Sequence, residues 1–213
     1  MSVFDQLFRD GFSSVYLTLA SIIQSLAAGY LFQTLTQEYF KTGRVSTSTI
    51  LDSMVVLISI VAVWQEYAIS CIAFTWRIDI LDSLIPFLLG LSEFAMVTTI
   101  AARSSSEAIP IVRTSSFEAW LWAVASFLLF SAAAYVNYAA KGVLRADAAA
   151  LQSLPLRHLW WAVGSFVIVF SVLLWHRRVP LQQFGQHLVR GCLTAGFIFH
   201  LIRIGYAHKH TIP

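Results

Sequence analysis

Charge is what this chain has least of. Only 12% of its 213 residues are Asp, Glu, Lys or Arg, while 58% are hydrophobic and the mean hydropathy is +0.72. An average soluble domain carries roughly 25% charged residues, so the composition is that of a membrane protein and excludes a large soluble domain. Cysteine is almost absent: Cys71 and Cys192 both fall inside apolar runs, which argues against a disulfide framework and leaves the redox compartment open. No glycine-rich phosphate loop, HExxH, CxxC or GxSxG occurs, and no nucleophile–base pair stands out, so an enzyme is not expected. The net charge of +3 comes without a basic run, which speaks against nucleic acid as a partner.

What is present is a series of long apolar stretches. Residues 11–37, 119–140 and 158–176 contain no Asp, Glu, Lys or Arg. Each matches the ~20 helical residues that cross ~30 Å of hydrocarbon. Two further runs qualify if one acid is tolerated in each, Glu66 within 53–76 and Glu93 within 83–102. A sixth, 188–206, is the weakest because Arg190, His200 and Arg203 lie within or beside it. The expected fold is therefore all-α, a polytopic transmembrane helical bundle of about six spans, near 11–35, 50–74, 80–102, 118–140, 157–176 and 188–206.

Residues 1–10 precede the first span as an amphipathic lead-in, with Val3, Phe4, Leu7 and Phe8 recurring at helical spacing, and 208–213 form a tail. Ser25-Leu26-Ala27 has the small-x-small form of a cleavage site, but Asp5 and Asp10 break the basic leader, so the first span is expected to be retained. Trp160, Trp161 and Trp175, beside Arg157, His158, His176, Arg177 and Arg178, read as anchors at the two interfaces of the fifth span.

Loop charges do not orient the chain, since six spans place seven Lys or Arg on each side. A shift of 105 residues lays Ala27-Ala28-Gly29-Tyr30-Leu31 over Ala132-Ala133-Ala134-Tyr135-Val136, and the second and third spans over the fifth and sixth. Either two inverted three-helix repeats or chance similarity between alanine-rich helices accounts for this match.

The acids inside the spans carry the functional expectation. An ionised group at the centre of a span costs roughly 2.5–3.5 kcal/mol on insertion scales, so such groups face a partner or a wet cavity. Asp52, Ser59 and Glu66 recur every seven residues and share one face of the second span; Asp79, Asp82, Pro86, Gly90 and Glu93 form a stripe on the third. A short connection makes the two spans antiparallel neighbours, so facing stripes would line a route with carboxylates at staggered depths.

The expected function is an integral membrane channel or transporter for cations or protons, with Glu66, Glu93, Asp52, Asp82, Ser59 and Gly90 along the path and His200 and Arg203 as charge partners. The alternative is an accessory or effector subunit packed within a larger membrane complex. Lipid is the expected surround, with copies of the chain or a membrane complex as partners. No cofactor is expected; a haem between histidines is disfavoured, and without a His/Cys cluster at ligand spacing no metal is expected either.

Overall fold

The structure is a computed structural model that describes residues 3–75, 80–104, 115–144 and 153–209. These form six helices: α1 (Val3–Thr42), α2 (Thr47–Ala73), α3 (Ile80–Ser104), α4 (Ser116–Lys141), α5 (Leu154–Arg178) and α6 (Gln183–Lys209). Five of them are long and apolar enough to cross a membrane, over Thr47–Cys71, Ile80–Arg103, Ser116–Lys141, Leu154–Arg178 and Gln183–Tyr206. The remaining expected span, 11–35, falls in α1, which runs through Asp10 and Gly11 without a break between lead-in and span. Side chains before Thr18, Asp79, most of the 103–116 connection and the last four residues of the tail lie outside the description.

Polar punctuation sets the helix ends. Gly43 takes φ +70 after α1, and its N–H donates to Tyr39 O, the left-handed termination that glycine permits without a Cβ clash. Ser46 then caps α2 by accepting from Thr49 N–H, and Ser115 caps α4 by accepting from Glu118 N–H. Pro155 occupies the first turn of α5, where its missing N–H is not needed. Pro86 lies inside α3, and the helix continues through it to Ser104.

Packing is built around α4, the most enclosed helix, which lies between α3 and α5; α6 packs against α2, and α1 covers α2 and α3. The two halves of the chain therefore do not pack alike. A core of Val, Leu, Ala and aromatic side chains fills the interior, including Trp120, Phe117, Leu121 and Met96. Large apolar side chains such as Trp160, Phe184 and Phe199 remain on the outside, as expected where lipid replaces water as solvent. At one end of the bundle, β1 (Phe74–Thr75) pairs antiparallel with β2 (Val143–Leu144), joining the chain after α2 to the chain after α4.

Gly90 is fixed by the α1–α3 contact, because a methyl group there would collide with the Ile23 side chain. Ile is stiff at χ1 and yields poorly. Gly90→Ala is expected to cost about 1–3 kcal/mol, the range for overpacking. Ile23→Ala in the same chain should restore most of that loss in a double-mutant cycle, whereas additive losses would show that the two residues do not share the contact.

Candidate functional site: a glutamate and two histidines inside the bundle

Successive helices α2 to α6 alternate in direction, so the C-terminal parts of α2, α4 and α6 and the N-terminal part of α5 share one end. Glu66 lies seven residues before the end of α2, His158 sits in the first turns of α5, and His200 in the later part of α6. One ligand-type atom from each of the three lies within 4.8 Å of the others. His158 and His200 are 1% and 2% exposed. Glu66 Oε1 is 3.4 Å from His158 Nε2, without hydrogen-bond geometry. Tyr135 Oη, from α4, lies 3.5 Å from His200 Nε2.

Aromatic rings hold the imidazoles in place. Trp161 stacks parallel on His200 at 3.6 Å between centroids, Tyr135 lies over His158 at 5.5 Å, and the two histidine rings meet edge to face at 5.0 Å. Within the cluster, the buried atoms Glu66 Oε1, His158 Nδ1 and His200 Nδ1 lack a hydrogen-bond partner. Such atoms are rare in native interiors and point to an unmet ligand, ion or water. Beside them is a cavity of about 20 Å³, lined in part by Glu66, Tyr135, His200 and Ser131. A space of that size admits one water or one ion, not an organic substrate. Trp161 and Phe197 line both this cavity and an apolar groove of about 380 Å³ between α5 and α6.

The other expected site residues are distributed along the bundle. Ser59 and Glu93 are both 0% exposed and lie in the middle turns of α2 and α3. Ser59 donates its hydroxyl to Val56 O, and neither Glu93 carboxyl oxygen has a hydrogen-bond partner. Asp82 accepts from Asn137 Nδ2 at 2.6 Å, so its partner is on α4. Gly90 faces α1. The α3 stripe is thus shared among three neighbours and does not face α2 as a whole. Arg203 is half-buried on α6, near enough to Glu66 for electrostatic attraction.

At the opposite end Asp52, 0% exposed, is held by two arginines. Arg190 Nε donates to both of its oxygens at 3.0 and 3.1 Å, and Arg103 Nη2 donates to Oδ2. Phe117 lies 4.6 Å from the Arg190 guanidinium carbon.

Comparison with protein-family models, curated proteins and solved structures finds no match to the chain. Function is therefore argued from geometry. The residues the sequence reading missed are His158, Tyr135, Trp161, Asn137, Arg103 and Arg190. Glu66, His158 and His200 come from three helices far apart in the chain, so no local spacing announces them. His158 and Trp161 had the pattern of interface anchors, and only the rotation of α5 separates an inward Trp161 from the exposed Trp160.

Proposed function

We propose that this chain is an integral membrane protein that passes protons or small cations along a buried polar line on α2. The stations are the Glu66–His158–His200 cluster near one end, the Ser59–Glu93 level in the middle and Asp52 near the other end. The observation that carries the reading is Glu93: a completely buried carboxyl, midway along its helix, with the Ser59 hydroxyl as its polar neighbour and neither oxygen in regular hydrogen-bond geometry. A group so costly and so poorly satisfied serves packing badly, and a relay that accepts and releases a cation accounts for it. Adjacent stations on α2 are seven residues apart, ~10 Å at 1.5 Å per residue, so water or side-chain motion must complete each step.

Flux in proteoliposomes tests this. Glu66→Gln and Glu93→Gln are each expected to lower proton or monovalent-cation movement to the level of protein-free liposomes. Unchanged flux in both variants would remove the two acids from the path.

A second reading, an accessory subunit of a larger membrane complex, draws support from Asp52 and Asp82. Both are capped by protein groups, the arginine pair and Asn137, as expected of acids that hold helices together. Absence of flux from the wild-type chain, with a defined membrane partner recovered in native lipid, would favour it. Under either reading lipid surrounds the bundle, and copies of the chain or a larger complex are its proposed partners.

A further inference from the structure

We infer that Glu66, His158 and His200 form a binding site for a first-row transition-metal dication of the Zn²⁺ or Fe²⁺ class. The inference goes beyond permeation; because a resident ion and a transported ion would use the same ligands, flux measured in chelator is what separates the two.

Donor chemistry comes first. Two imidazoles and one carboxylate form a ligand set suited to Zn²⁺ and to non-haem iron, whereas Mg²⁺ and Ca²⁺ favour all-oxygen shells. Geometry agrees with that chemistry. Zn–N and Zn–O bonds of about 2.0–2.2 Å put two tetrahedral ligand atoms roughly 3.4 Å apart. Glu66 Oε1 and His158 Nε2 are 3.4 Å apart, long for a hydrogen bond and matched to a shared ion. Tyr135 Oη and His200 Nε2, at 3.5 Å, have a similar spacing and offer a fourth oxygen directly or through one water. The widest pair in the cluster is within 4.8 Å, so rotations that move side-chain tips by about an ångström complete the set.

Burial supplies the second, independent indication. Glu66 Oε1, one of the atoms the ion would use, is buried without a hydrogen-bond partner. An ion pair between Glu66 and His158 alone would leave His200 with its long 3.5 Å contact to Tyr135 Oη. A bound ion uses all three side chains and offsets the electrostatic cost of placing Glu66 in an apolar interior. The site is also held rigidly: the flat face of Trp161 against His200 and Tyr135 over His158 restrict both rings before any ion arrives. The small cavity beside them leaves room for one exchangeable ligand.

Co²⁺ is the probe, because it replaces Zn²⁺ and reports its ligands through visible d–d bands. Chelator-stripped full-length protein in detergent is expected to take up one Co²⁺ per chain with a four- or five-coordinate spectrum. Zn²⁺ should displace it, while a large excess of Mg²⁺ or Ca²⁺ should not. Glu66→Gln, His158→Gln and His200→Gln are each expected to weaken binding by at least tenfold.

His176→Gln is the control. His176 is also buried on α5, but it lies at the other end of the bundle, where its ring meets Ser115 and Leu181 N–H, so binding should be unchanged. Helical content and elution volume report folding. Should a histidine variant misfold, Glu66→Gln, which alters one atom of the carboxyl group, still decides the matter. Failure of the folded wild type to bind Co²⁺ or Zn²⁺ stoichiometrically overturns the site. So does uptake that survives all three substitutions, or uptake abolished by replacing His208 and His210 in the tail. Flux measured in chelator keeps the two proposals apart: flux without metal uptake overturns only the metal site, and uptake without flux only the permeation reading.

Discussion

Asp52→Ala is expected to destabilise the folded chain by about 3–5 kcal/mol, the range for breaking a buried ion pair by removing one partner. The reason is an imbalance of charge. Asp52 is fully buried and answers two guanidiniums, Arg103 and Arg190, so deleting it leaves two cations facing each other without an anion. Deleting either arginine leaves a one-to-one pair. Arg103→Gln is accordingly expected to cost much less, since Arg190 keeps both of its contacts to the carboxylate. Two nitrogens of Arg103, Nε and Nη1, are already buried without acceptors, which reduces what its removal can lose. Reversible unfolding in mixed micelles gives the ranking. A loss below about 1 kcal/mol for Asp52→Ala would place the triad among weak surface-type pairs and contradict the burial described for it.

Glu93→Leu is expected to act in the opposite sense on stability. Its side chain is completely buried and both oxygens are unsatisfied, while Leu89 and Val97, one turn away on either side, belong to the apolar core. An unsatisfied buried polar group costs about 1–3 kcal/mol, so an apolar side chain of similar size should return a gain of that order. The same variant should abolish flux. Gained stability with lost transport is the signature of a residue kept for function at the expense of the fold. If Glu93→Leu is destabilised, the carboxyl has bonds that the described geometry lacks, and the relay loses its central station.

Helix number and position were legible because run length is a one-dimensional property. The stretch expected at 50–74 is α2 at Thr47–Ala73, and the stretch expected at 80–102 is α3 at Ile80–Ser104. The face shared by Asp52, Ser59 and Glu66 follows from helical periodicity, and the first two are fully buried. Contacts between helices were not legible, because they depend on the rotation and tilt of each rod against its neighbours. Arg190, His200 and Arg203 made α6 the least convincing span. Yet Arg190 and His200 are among the most buried polar residues, because Asp52 and the Glu66 cluster receive them. Hydropathy counts such residues as penalties and has no means to register their partners.

The short ladder between Phe74–Thr75 and Val143–Leu144 bears on how anything reaches Glu66. It laces two inter-helix connections at the end where the cluster lies, and Gly142 is pressed so closely on the Phe74 ring that a side chain there has no room. With those connections stitched together, prising the rods apart at that mouth means breaking the stitch. Trp161 and Phe197 line both the α5–α6 groove and the cluster cavity. The Glu66 end of the bundle is therefore tied across two connections at once, and loosening either one frees the other.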